Sequence, residues 1–258
     1  MAKIVARGLY KSFTNNNHEK LDVLVDINLW VEAGEILCLL GPSGCGKTTL
    51  MNIMAGFEQV TAGTLEIDGN PVNRPNPKHI TIFQDYGLYP WRTVLGNISF
   101  GLEAKGISGK LAKEKAREYV ELVGLTQFAD SFPSQLSGGM KQRVSIARAL
   151  AVEPDILFMD EPFAALDAFT RYRLQDELLR IWLEKKPTII FVTHDIDEAV
   201  YLGQRIAIMS PNPGRIKKVM DINLLRPCDR AGTDFMALRS QVFREFELVH
   251  EESVSSKQ

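Results

Sequence analysis

Two kinds of apolar pattern alternate along the chain, and together they predict an α/β fold. Residues 4–9 and 23–31 place apolar side chains at every second position, with Asn15, Asn16 and Asn17 between them. That is the pattern of two antiparallel strands joined by a loose polar turn. Residues 35–40, 80–83, 155–159, 188–193 and 205–209 are instead short continuous apolar runs, rich in branched side chains. Runs of that kind, separated by helical stretches, predict parallel strands buried on both faces of a sheet. Residues 47–56, 93–105 and 109–123 read as helices. In the last of these, Leu111, Ala112, Ala116, Tyr119, Val120 and Val123 oppose Lys110, Lys113, Glu114, Lys115, Arg117 and Glu118, so one face is core and the charged face is solvated. The pattern therefore predicts a main domain over 1–232 with a helical subdomain inserted at about 88–150. A strand at 217–222, a helix at 234–250 and a disordered polar end at 253–258 follow, so that 233–258 is a helix and tail.

Length and composition change this picture little but exclude some functions. A chain of 258 residues, 45% hydrophobic, can bury a sizeable core. Lys and Arg number 30 against 32 Asp and Glu, a net charge of −2. Bulk electrostatics therefore recommend neither nucleic acid nor anionic lipid as a partner. Cys38, Cys45 and Cys228 form an odd set without metal-ligand spacing, which fits a reducing cytoplasm. The N-terminal residues lack the apolar region of a signal peptide, and no stretch approaches the roughly 20 apolar residues of a spanning helix. If the protein works at a membrane, other chains cross it.

The chemistry begins at Gly41-Pro42-Ser43-Gly44-Cys45-Gly46-Lys47-Thr48-Thr49. Gly41, Gly46, Lys47 and Thr48 fill the fixed places of a phosphate-binding loop, between a predicted strand and a predicted helix as that motif requires. Its glycines let successive N–H groups face one concavity, and the helix N-terminus adds positive potential. Lys47 can reach the β- and γ-phosphates, and the Thr48 hydroxyl can ligate Mg²⁺. Kinases, GTPases, helicases and transport ATPases all remain open at this point. The run 156–161 ends an apolar strand in Asp160 and Glu161, one suited to the metal's second shell and the other to polarising a water. A further strand delivers His194 near the same chemistry. Most discriminating is Leu136-Ser137-Gly138-Gly139-Met140 before a helix. Ser137 is a cap, and Gly138 and Gly139 leave room for a phosphate at a second positive helix end. One chain then owns two half-sites, which a two-fold dimer with ATP at its seam would use together.

These segments, with Gln84 and Ala165-Leu166-Asp167, resemble the Walker A, Q-loop, signature, Walker B, D-loop and H-loop of ATP-binding cassette (ABC) ATPases. The runs 84–91, 161–167 and 209–216 are similar to the nitrate, sulfonate, taurine and bicarbonate importer subfamily. The resemblance implies a P-loop NTPase core with an antiparallel β subdomain and an inserted α-helical subdomain. It implies ATP hydrolysis with Mg²⁺ on Thr48 and Gln84, Lys47 neutralising charge, Glu161 holding the water and His194 contacting the γ-phosphate. Ser137, Gly138 and Gly139 would touch the nucleotide of a second copy, and Asp167 would communicate across the seam. The signature ends in Met140 where the family usually has Gln, and the adenine ring would stack on Phe13 where a Tyr is usual. Expected partners are a second copy and separate membrane-spanning permease subunits, at the cytoplasmic face of a bacterial inner membrane. A periplasmic or extracellular solute-binding protein would act indirectly. The aromatic segment Tyr86, Leu88, Tyr89, Pro90 and Trp91 suggests a groove for a permease helix, or a mini-core of the subdomain. The rival is a soluble ABC ATPase acting on nucleic acid or ribosomes. Its chromosome-maintenance forms carry long coiled coils and its translation-factor forms two cassettes, and this chain has neither.

Overall fold

The computed structural model describes residues 2–14, 18–83 and 85–255. In chain order the elements are β1 (Ala2–Thr14), β2 (Lys20–Glu32), β3 (Ile36–Leu40), α1 (Lys47–Ala55), β4 (Ala62–Ile67), β5 (Asn70–Pro71) and β6 (His79–Ile82). The chain continues through α2 (Val94–Ala104), α3 (Gly109–Leu122), α4 (Gly138–Ala151), β7 (Ile156–Asp160), α5 (Ala168–Lys185) and β8 (Thr188–Thr193). It finishes with α6 (Ile196–Leu202), β9 (Arg205–Ser210), β10 (Arg215–Asp221) and α7 (Thr233–Ser255). Packing divides it into two bodies, Met1–His79 with Lys186–Gln258, and Ile80–Lys185.

In the first body, β3 is parallel to β8 on one side and to β9 on the other, and β10 closes antiparallel on β9. Every residue of β3 and of β8 is buried, which is why their sequences are unbroken apolar runs. Truncating Leu39 to Ala in such a strand costs about 2–5 kcal/mol. Glu35 lies outside the strand that the apolar pattern assigns to it. Its carboxylate accepts from the Glu32 N–H at 2.6 Å and pairs with Arg205 Nη1 at 3.2 Å. Burial pushes this carboxyl up from its ordinary range.

The antiparallel subdomain has the order β2-β1-β4-β5. β1 and β2 are 13 residues each, longer than their alternation suggests, because pairing continues to Thr14↔Lys20 beyond the last buried positions. The expected Asn15–Asn17 turn lies outside the described residues. The pattern also gave no sign of β4, whose Ala62, Gly63 and Thr64 are exposed. α6 and α7 pack on each other, α6 also on β3 and α7 on β9. α7 continues to Ser255, past the point at which a disordered end is expected; no Gly or Pro interrupts it there.

In the second body, α2, α3 and α4 pack on one another. Thr93 caps α2 by accepting from the Gly96 N–H at 3.1 Å. Ala112, Ala116 and Val120, spaced by one helical turn, form the buried stripe of α3 while its charged face stays in solvent. α2 and α4 approach closely at Gly101, where a Cβ would stand 2.6 Å from Val152 Cγ1. Strands β6 and β7 pair in this body, and the long helix α5 follows β7.

Candidate nucleotide site

β3 runs straight into the phosphate loop. Gly44 and Gly46 have φ of 77° and 92°, a conformation that glycine adopts without strain. At Gly46 there is no room for a side chain either, because a Cβ would lie 2.6 Å from Leu24 Cδ2. Gly41 is equally confined: a Cβ there would lie 2.6 Å from Cys45 Sγ and 2.9 Å from the Met209 carbonyl. α1 follows Gly46, which gives it no side-chain cap, and its N-terminus is the positive helix end at which an anion is stabilised. Lys47 is buried, and its ammonium arches back to donate to the carbonyls of Gly41 at 2.7 Å and Pro42 at 2.9 Å. A phosphate would be a stronger, charge-assisted acceptor than either carbonyl. Ser43, Gly44 and Thr48 are exposed, Pro42 and Thr49 half-buried, and Cys45 buried. Burial pushes the Cys45 thiol up, so it stays protonated.

The same body supplies two further candidates. Thr193 at the end of β8 is in register with Leu40 at the end of β3, so His194 and Gly41 follow the carboxyl ends of adjacent parallel strands. Ligands of open α/β sheets gather at such ends. His194 is exposed, and Asp195 after it caps α6, accepting from the Asp197 N–H at 2.8 Å. Phe13 sits on β1 opposite Leu21, partly exposed, with the Lys11 ammonium 4.6 Å from its ring centre.

In the Ile80–Lys185 body, β7 ends with buried Asp160, and Glu161 follows at φ 46°. A glutamate in that left-handed region carries strain of order 1–3 kcal/mol, which collects at functional positions. Ser137 caps α4, its hydroxyl accepting from the Met140 N–H at 3.3 Å. Gly138 is exposed, and Gly139 backs onto the segment before Asp167, where a Cβ would lie 3.3 Å from the Ala165 carbonyl. Gly139 and the Ala165–Asp167 turn thus lie close together. Asp167 accepts from the Thr170 N–H at 3.0 Å at the start of α5. That bond holds its carboxyl below the usual range. Gln84 lies outside the described residues.

Two residues that the motifs do not single out shape this body. Asn97, fully buried, accepts from the Tyr89 N–H at 2.8 Å and donates to the carbonyls of Tyr89, Arg92 and Thr93 at 3.1, 2.9 and 3.0 Å. Its amide fixes the aromatic turn from inside, with Tyr89 edge-on to Phe100 at 4.8 Å and Trp91 71% exposed. Arg148 on α4 donates to the carbonyls of Tyr86 and Gly87. An asparagine inside a helix and an arginine among several have no motif to mark them; only the carbonyls they face reveal them.

The profile of the family described as ABC transporter matches residues 24–164. The chain belongs to the ABC transporter family. Among ABC relatives, an uncharacterized ATP-binding protein of Methanocaldococcus jannaschii is 49% identical over 240 residues, covering 93% of this chain and 90% of the relative. The aliphatic sulfonates import ATP-binding protein SsuB of Bacillus cereus is 48% identical over 240 residues, 93% of this chain and 94% of that one. A solved ATP-binding cassette, dimeric and in a post-hydrolysis state with ADP and Pi, has a TM-score of 0.79 at 31% identity, covering 86% of this chain and all 100% of that one. This ABC chain therefore has the α/β cassette fold expected of it and is an ATP-binding, ABC-type transport ATPase. Among the described residues no helix is long and apolar enough to cross a membrane. Nor do three or more His, Cys, Asp or Glu side chains among them form a metal cage. Mg²⁺ takes one or two protein oxygens and leaves the rest to water and phosphate. The exposed Thr48 hydroxyl and the Asp160 carboxylate are hard oxygen donors of the right kind.

Proposed function

We propose that this chain is the motor of an importer, binding ATP with Mg²⁺ and closing as a homodimer to drive a small anion through separate permease subunits. The carrying observation is that one chain holds two helix starts built for anions: the uncapped α1, roofed by Lys47, and the glycine-rich start of α4. In this reading Lys47 and the loop residues Gly41 to Thr49 hold the phosphates, and Phe13 stacks on the adenine. Thr48 and Gln84 would ligate the metal with Asp160 behind them; when bound, Mg²⁺ neutralises charge on the β- and γ-phosphates. Glu161 orients the attacking water and His194 contacts the γ-phosphate, so catalysis is positioning plus electrostatics. Ser137, Gly138 and Gly139 of one copy complete the site of the other, with Asp167 at the seam between them.

The sulfonate importer relatives make an aliphatic sulfonate, the class to which taurine belongs, the best supported solute, ahead of nitrate or bicarbonate. Selection would fall to a solute-binding protein and the permease, with the motor peripheral at the cytoplasmic face of the membrane. The near-zero net charge gives nucleic acid no foothold. The exposed Trp91 turn is the surface offered to the permease.

Glu161→Gln tests the reading. The variant is expected to bind ATP, to persist as a dimer in light scattering, and to hydrolyse about a hundredfold slower or worse. Wild-type turnover per molecule should fall on dilution as the dimer dissociates. A dilute, strictly monomeric sample that turns over at the full rate would end the proposal.

A further inference from the structure

The loop after Gln84 and the signature helix are fastened together inside the Ile80–Lys185 body. Arg148 lies on α4 about three turns beyond Ser137. Its Nη1 donates to the Gly87 carbonyl at 2.8 Å and its Nη2 to the Tyr86 carbonyl at 3.3 Å. The two residues whose carbonyls it grips both have positive φ, 67° at Tyr86 and 54° at Gly87. A tyrosine stays in that region only when its surroundings over-determine it, and the forked guanidinium does so by holding both carbonyls at once. The guanidinium is itself set over the Tyr89 ring, 5.6 Å from its centre. Burial there lowers the Arg148 pKa from its ordinary value, as expected for a cation withdrawn from water.

The other end of the same tyrosine reaches the signature. A Cβ placed on Gly138 would lie 3.1 Å from the Tyr86 hydroxyl oxygen, closer than ordinary van der Waals contact. Tyr86 is therefore held through its backbone by the later part of α4 while its hydroxyl stands against the first residue of that helix.

We propose that Tyr86 and Arg148 are positioning residues. They form a strut that makes the loop after Gln84 and the signature turn 137–139 move as one part, so that a shift of the loop is delivered to Gly138. The inference rests on the reading that Ser137–Gly139 complete the partner copy's nucleotide site. It gives Gly138 a second reason to be glycine, since a Cβ there must press the Tyr86 hydroxyl back by a few tenths of an ångström.

The test uses the full chain carrying Glu161→Gln and follows ATP-driven dimerisation by light scattering. Gly138→Ala should raise the ATP concentration for half-maximal dimer by about tenfold. Adding Tyr86→Phe, which deletes only the crowding oxygen, should recover about threefold or more of that loss. No recovery overturns the strut. Amide hydrogen exchange on Arg148→Lys is a second arm that does not need the dimer. Faster exchange at both 86–88 and 138–140 supports the strut, and a rise at 86–88 alone overturns it. If the Glu161→Gln parent fails to dimerise with ATP, it is the functional reading that fails, and the exchange arm still decides the strut.

Discussion

α1 and α4 both begin beside glycines, yet their surroundings differ. At the start of α1 the backbone is closely packed at Gly46, which has φ 92°, faces Leu24, and leaves the first turn without a side-chain cap, while Gly44 stays open. Lys47 is buried over the loop. At the start of α4, Ser137 satisfies one N–H, Gly138 is open to solvent beside Tyr86, and Gly139 faces Ala165 and Leu166. The first helix start is a finished cradle. The second is more open to solvent. Under the proposed function, the packed start holds phosphate within one chain and the open start completes the site of a second copy.

Substitutions at the two starts should therefore fail differently. The largest effect is expected at Gly46→Ala, which must place a Cβ 2.6 Å from Leu24 Cδ2 at a left-handed φ. Unfolding in urea should show a loss of about 2–4 kcal/mol, and ATP affinity should fall with it. Unchanged stability would mean that the cradle is softer than its contacts imply. Ser137→Ala comes next. Losing the cap should cost about 1 kcal/mol of stability, and it should weaken ATP-driven dimerisation while leaving ATP binding by the monomer in place. If monomer binding suffers equally, the two starts are not separate half-sites.

The smallest effect concerns Asp167. Its carboxyl is held below the ordinary 3.8 by the Thr170 N–H, so its folded-state pKa is depressed. A depressed acid stabilises above its unfolded pKa and loses that contribution as pH falls through the folded value. The melting difference between wild type and Asp167→Asn should therefore be steady near neutrality and narrow only below pH 3.8. A difference that grows on acidification would reverse the assignment.

Much of the fold could be read from apolar runs because the sheet is dry on both faces: β3 and β8 contain no exposed position to confuse the pattern. β4 escaped because it is half exposed and contains Gly63, and β5 because two residues carry no periodicity. The glycines of the 41–49 loop and of the 137–139 turn stand out in the sequence because the phosphate contacts proposed for them need bare backbone, which glycine provides. The left-handed backbone of Glu161 was not legible, since a glutamate gives no local warning of φ 46°. Asn97 and Arg148 were hidden for a related reason: each acts on main-chain carbonyls, which every sequence possesses.

Asn97 also separates two tasks within the aromatic turn. Its side-chain amide sets the course of residues 89–93 from the interior, whereas Trp91 at the tip contributes mostly exposed surface. Shape and display are thus encoded by different amino acids. If the proposed permease docks at this turn, a lineage could exchange the displayed indole without rebuilding the scaffold beneath it, and motors of one design could diverge there in what they drive.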